Sequence, residues 1–279
     1  MRKLPVSAAV EQSFHSIFAY SIEAAKISAP WLAAGFLLLV IQGLFGPTQD
    51  FDPRTISSAM SSDQMFGAAI WLFNIFFYLF ALSSIAVNWH RYALRDEMPS
   101  KFSWLRFDGL AWKYFGNLLA TFTLVIVSAM ILMFGFFMTA ANDNSGLLES
   151  DFIMLIVANA GGVMVVFLLS ILSTKLPAIA LNAPKVTFVN TFKIVKGNYG
   201  RIAQFTAAIW IVLALIRWVF GLIDKFILVH AGITGSVLSI MMHLADWWFA
   251  TMVGIATVTT LYGFFVEKRD YEAATAETA

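Results

Sequence analysis

The chain has 279 residues, of which 59% are hydrophobic and 15% aromatic while only 13% are charged, and it contains no cysteine. A soluble domain covers its surface with roughly 25% charged residues, so this composition excludes an ordinary cytosolic enzyme, and the missing thiols exclude disulfides, thiolate metal sites and thioether-linked haem. A formal charge of +1 offers no global basic field for nucleic acid, which leaves the distribution of charge as the informative quantity.

Six stretches reach the roughly 20 apolar residues that a helix needs to cross a bilayer, where the backbone must satisfy its own hydrogen bonds. In chain order they lie near Ile27–Phe45, Gly67–Trp89, Asn117–Ala140, Phe152–Lys175, Ile202–Ile223 and Ser236–Phe265. The opening Met-Arg-Lys resembles the start of a secretory signal, but Glu11 and Gln12 interrupt any apolar core. The first span is therefore expected to be an uncleaved anchor. Arg2 after the initiator and the lack of cysteine leave no lipidation motif.

An even number of spans puts both termini on one side. Apart from Arg54, Lys225 and the intraspan Arg217, every lysine and arginine falls on that side, while Asp50, Asp52, Asp63, Asp143, Glu149, Asp151 and Asp224 fall opposite. Short cytoplasmic segments retain basic residues, so the sequence predicts a bacterial inner-membrane protein with both termini cytoplasmic. Its fold class is all-α: a polytopic six-helix transmembrane domain over residues 1–266, followed by a disordered cytoplasmic tail over 267–279.

Pro5, Pro99 and Pro184 each open a polar-aromatic stretch leading into a pair of spans, a threefold pattern. The third stretch repeats Phe188, Phe192, Val195 and Tyr199 at helical spacing, with Lys185, Asn190, Lys193 and Lys196 largely elsewhere, and it predicts an amphipathic helix in the interface. The first fits the same template through Val6, Val10, Phe14, Ile17 and Phe18; the middle one, with Phe102, Trp104, Leu105, Leu110 and Trp112, is less cleanly striped. Such elbows either anchor the protein at the headgroups or form a lipid-headgroup or anionic-partner site built from Arg91, Arg95, Lys185, Lys193 and Lys196.

The run Ala86-Val87-Asn88-Trp89-His90-Arg91-Tyr92, followed by Leu94-Arg95-Asp96-Glu97 and Pro99, resembles uncharacterised six-span inner-membrane proteins of alphaproteobacteria. The segment from Ala183-Pro184 through Phe192-Lys193-Ile194-Val195-Lys196-Gly197-Asn198-Tyr199 resembles their elbow motif, which is similar to one in the membrane domain attached to some glycerophosphodiester phosphodiesterases. The resemblance covers about residues 5 to 265 and implies a six-helix membrane fold with interfacial elbows. It implies no catalytic residue, because the phosphodiesterase chemistry belongs to a separate soluble domain.

Arg217 and Asp246 are the ionisable groups well inside spans. Either costs roughly 2.5–3.5 kcal/mol at mid-bilayer on insertion scales, and their similar depths predict that they pair, as a structural ion pair or as part of a proton or ion relay. His243 lies one turn before Asp246, yet a metal site needs three or four ligands, and only His230 lies on a side from which it can join His243; no metal and no cofactor are expected. His90 beside Trp89 reads as an interfacial anchor. Trp247, Trp248 and Phe249 read as helix packing or a ligand pocket. Ala158/Gly162 and Ala250/Gly254 are small-residue pairs that let helices approach, and Asn74, Asn88, Asn159, Ser83, Ser84 and Thr174 supply cross-helix hydrogen bonds or line a narrow path. Pro177 is expected to end the fourth span.

No phosphate-binding loop, paired carboxylates or nucleophile–His–acid grouping is present as a motif. The expected function is therefore non-enzymatic: interaction, assembly or lipid binding within a membrane complex. The expected partners are the bilayer, anionic lipids, other membrane proteins or a second copy, and no nucleic acid. The competing reading is a small transporter or channel-like protein that uses Arg217 and Asp246.

Overall fold

A computed structural model of the chain describes residues 2–45, 62–99, 104–141, 151–184, 186–230 and 232–271. Within them the protein is all-α, comprising α1 (Val6–Ala19), α2 (Ser21–Phe45), α3 (Ser62–Arg95), α4 (Gly109–Ala141), α5 (Asp151–Ser173), α6 (Leu176–Ala180), α7 (Phe188–Ile194), α8 (Tyr199–His230) and α9 (Gly232–Phe265). Six segments are long and apolar enough to cross a membrane: Ser21–Gln42, Met65–Arg95, Gly109–Gly135, Asn159–Ala180, Tyr199–Phe226 and Val237–Phe265. The molecule is thus a multi-pass membrane protein. Several helices overrun their apolar stretches, α2 beginning at Ser21 rather than Ile27 and α4 at Gly109 rather than Asn117. Hydropathy marks the lipid-facing length, whereas a helix continues until a cap ends it.

The cap of α4 explains why the threefold pattern is broken. Asp108 Oδ1 accepts hydrogen bonds from the Leu110 and Ala111 N–H groups at 3.1 and 2.9 Å, the geometry of an N-cap. Leu110 and Trp112 consequently form the first turn of a span, while Trp104 and Leu105 lie in an irregular connector and Phe102 falls outside the described residues. The connector is pinned through Arg106 N–H to Ser84 Oγ at 3.0 Å and by Phe107 against Trp31 and Phe80. The first stretch forms a full helix, α1, with Ala8, Ala9, Ser13 and Ile17 buried against α8 and α9. The third forms α7, capped by Thr187, whose side chain accepts from Asn190 N–H.

Pro177 does not stop the fourth span. It sits in the first turn of α6, where its missing N–H costs nothing, so the chain runs on for another turn after α5 ends at Ser173. A Schellman motif then closes α6: Asn182 takes φ 51°, its N–H reaches Ile179 O, and Ala183 N–H reaches Ala178 O at 2.9 Å.

Helix α9 is the hub, packing against α1, α2, α3, α5, α6 and α8. Within its most apolar window 61% of residues are buried, against 11% for α8 and 17% for α4, so α9 is central and the latter two present most of their surface to lipid. Trp247, Trp248 and Phe249 point three ways, to Tyr78 of α3, to Ser28 of α2 through a 2.7 Å Nε1–H hydrogen bond, and to Phe14 and Phe18 of α1. Successive helical residues turn by about 100°, and three aromatics in a row therefore bind three neighbours.

Both ends of the described chain meet at one end of the bundle, hereafter the basic end. Arg2 donates to the Lys268 and Arg269 carbonyls, pairs with Asp270 at 2.7 Å and covers the Phe264 ring. Gly197 takes φ 79°, and the buried Asn198 beside it accepts from Leu4 N–H at 2.9 Å and donates to Arg2 O at 3.1 Å. Arg269 donates to Ala93 and Leu94 carbonyls at the end of α3, and the Tyr271 hydroxyl donates to Thr260 O at 3.0 Å. The tail expected to be disordered from residue 267 is therefore packed as far as Tyr271, because Tyr271 can bury its ring against Phe264; residues 272–279 lie outside the described residues.

Candidate functional site

At the basic end, most cations serve the protein itself. Arg91 donates to Ala180 O, an end carbonyl of α6, and pairs with Glu97. Lys3 and Arg201 donate to Gly197 O and Leu4 O, and the ammonium of Lys175 lies 3.4 Å from the centre of the Phe188 ring. Arg106 is largely buried, with Nε 3.3 Å from Asp108 Oδ2. Desolvation lowers its pKa from the ordinary arginine value, and Asp108 opposes that shift. Arg95, Lys193 and Lys196 are exposed, while Lys185 lies outside the described residues. Basic side chains that fill orphan carbonyls at helix C-termini also complement the helix dipoles.

Deeper in the bundle, Arg217 Nε of α8 lies 3.5 Å from Asp246 Oδ2 of α9. The arginine side chain is 54% exposed and the aspartate 27%, so the pair sits at the edge of the bundle rather than in its centre. His243 Nδ1 is 2.8 Å from Ser239 O, a geometry that makes it the protonated nitrogen and satisfies it within its own helix. Among the described residues no three His, Asp or Glu side chains group as a metal site.

His90 is not an interfacial anchor. It is wholly buried, with Nδ1 2.9 Å from Thr259 Oγ1 and Nε2 3.0 Å from the Tyr114 hydroxyl, and so joins α3 to α9 and α4. Of the other polar residues, Asn74 exchanges two hydrogen bonds with Gln42 of α2, Asn88 donates to Trp104 O, and Ser83 and Thr174 bond back to carbonyls of the preceding turn. These contacts bind helices and connectors together.

A cavity of about 420 Å³ lies among α3, α4, α5, α8 and α9. Leu82, Leu118, Phe122 and Leu213 supply apolar wall; Tyr114, Ser170, Ser173 and Thr257 supply hydroxyls; Arg217 and Trp247 border it farther along. The α9 residues lining it run from Trp247 to Val258, about 16 Å of helix. Gly162 and Gly254, both singled out by small-residue spacing, do different things here. A methyl group on Gly162 would sit 2.7 Å from Trp210 Cζ2, so this glycine admits the indole to the α5–α8 contact, whereas one on Gly254 would meet nothing within 4 Å because Gly254 borders the cavity. Trp210 Nε1 and Thr257 Oγ1 are both sealed from solvent and have no hydrogen-bond partner.

The chain matches no protein-family model, no curated protein and no solved structure.

Proposed function

We propose that this multi-pass membrane protein is a non-catalytic lipid-binding component of the bacterial inner membrane, with the basic end and both termini on the cytoplasmic side. The observation that carries the reading is the cavity: its 420 Å³ lies within the 300–1,000 Å³ range of ligand sites, and a mostly apolar wall with a few placed polar groups is the usual composition of such sites. The orientation rests on the concentration of lysine and arginine in the segments at the basic end. The non-catalytic part rests on the lack of a nucleophile or paired-carboxylate motif, and the kinship to alphaproteobacterial six-span proteins rests on the Trp89-His90-Arg91 and Gly197-Asn198 segments.

Native mass spectrometry of the protein released from mild detergent tests the lipid-binding reading. Wild type should carry lipid and Gly254→Trp, which fills the cavity, should lose it; a lipid-free wild type, or lipid retained equally by the variant, refutes it. The transporter alternative is favoured by the position of Arg217 at the cavity border beside Asp246. If the pair is structural, Arg217→Gln and Asp246→Asn each lower the yield of folded protein and the exchanged pair Arg217→Asp/Asp246→Arg restores it. Loss of solute flux in a fully folded Asp246→Asn protein supports transport instead.

A further inference from the structure

We infer that the open groove between α1 and the start of α8 holds the headgroup of a phosphatidylethanolamine, its phosphate against Lys3 and Arg201 and its ammonium against Glu11. The site is separate from the cavity described above, and the inference needs only that the chain spans a membrane.

The groove has a volume of about 1120 Å³ and runs between Val10 and Glu11 of α1 and Arg201, Gln204 and Ala208 of α8, with Lys3 also lining it. Lys3, Glu11 and Arg201 are all exposed, so a ligand in the groove can reach them. Lys3 Nζ donates to Gly197 O at 2.9 Å and Arg201 to Leu4 O at 2.8 Å, which fixes both cations at the junction of the N-terminal segment with α8. These neutral carbonyls occupy one donor of each cation and cancel none of its charge. Among the described residues, neither Lys3 nor Arg201 forms an ion pair, and neither does Glu11. Two positive side chains and one negative one therefore face a common space without neutralising each other. A simple anion leaves Glu11 opposed, and a simple cation leaves Lys3 and Arg201 opposed. A zwitterion with a phosphate and a primary ammonium complements both signs, and the ammonium N–H groups can donate to the carboxylate.

Depth gives an independent argument. The apolar segment of α8 begins at Tyr199, which puts Arg201 ~3 Å and Ala208 ~14 Å along it. The groove therefore descends from the headgroup layer into the hydrocarbon, and its wall at Ala208 meets the glycerol and the first methylenes. Gly200 keeps the entrance open, since a methyl group there would meet nothing within 4 Å. A soluble phosphoethanolamine ester shares the headgroup chemistry, and the test separates it from the lipid.

The full-length protein, delipidated in mild detergent, is titrated by native mass spectrometry with phosphatidylethanolamine, phosphatidylglycerol and phosphatidylcholine of equal chain length, and with glycerophosphoethanolamine. Wild type should bind phosphatidylethanolamine about threefold more tightly than the other lipids, the scale of one exposed ion pair, and the soluble ester far more weakly. Glu11→Gln should abolish that preference, and Gly200→Phe, which fills the groove, should abolish it too, both with the thermal midpoint of wild type. The preference should survive Gly254→Trp, which fills the cavity instead, so that failure at one site is distinguishable from failure at the other. Equal binding of the three lipids to wild type, a preference untouched by Glu11→Gln, or its loss in Gly254→Trp overturns the assignment. A soluble ester that binds as tightly as the lipid overturns the membrane source.

Discussion

Replacing Asn198 with alanine tests the tie between the N-terminal segment and the third elbow. The amide is 2% exposed and joins two backbone groups of a segment almost two hundred residues away, accepting from Leu4 N–H at 2.9 Å and donating to Arg2 O at 3.1 Å. Leu4 is fully buried, so its N–H cannot turn to water when the acceptor is removed. An orphaned buried group costs about 1–3 kcal/mol; the Arg2 carbonyl, in an exposed residue, adds less. A total of about 2–3 kcal/mol corresponds to a fall in thermal midpoint of roughly 4–12 °C for a chain of this size. Because the chain has no cysteine, Leu4→Cys provides a unique thiol; it should resist maleimide in the otherwise native protein and label readily when Asn198→Ala is added. An unchanged midpoint with unchanged labelling refutes the assignment.

His90→Phe should destabilise the protein by about 1–3 kcal/mol by orphaning the buried Tyr114 hydroxyl, and the double variant with Tyr114→Phe should recover part of that loss in a thermal scan. Gly162→Ala should lower stability by about 1–3 kcal/mol, since its new methyl would sit 2.7 Å from a rigid indole carbon; a neutral result would show that Trp210 moves freely. Burial raises the Tyr271 phenol above its ordinary value, with Arg269 opposing and Glu267 adding to the shift. The folded state then favours the neutral phenol, so this stabilisation is complete below pH ~10 and is lost as pH rises through the raised folded value. Tyr271→Phe should flatten the alkaline decline of the midpoint, and identical slopes would refute the linkage.

The spans were legible in the sequence because their signal is additive: twenty apolar residues outweigh any single exception. What hydropathy averaging missed were features resting on one atom. Asp108 starts α4 through one carboxylate oxygen, and a short acidic residue followed by Gly-Leu-Ala was a usable N-cap signal. Pro177 was weighed as a helix breaker, although a proline can equally open a new helical turn. His90 next to Trp89 and Arg91 has the composition of an interface, and only the convergence of α3, α4 and α9 shows that its two nitrogens bridge Thr259 and Tyr114. The partnerless buried atoms of Trp210 and Thr257 were out of reach for the same reason, since the two residues lie on different helices and each is unremarked in its own apolar run. The Gly197-Asn198 motif was visible as a pattern, but its partner is the backbone of residues 2 and 4, which carries no side-chain signature.

The distribution of cross-helix polar contacts gives the bundle a mechanical polarity. At the basic end Arg2, Asn198, Arg201, Arg91 and Arg269 rivet the chain ends, the third elbow, α3 and α6 to one another. Toward the other end such contacts thin, among the described residues, to the Trp248–Ser28 hydrogen bond, the Gln42–Asn74 pair and the 3.5 Å Arg217–Asp246 pair. Packing between helices in lipid gains nothing from water exclusion, so the resistance to separation follows the polar fastenings. The basic end is therefore the hydrogen-bonded end of the bundle, and away from it the halves of α8 and α9 are held mainly by the fit of apolar side chains.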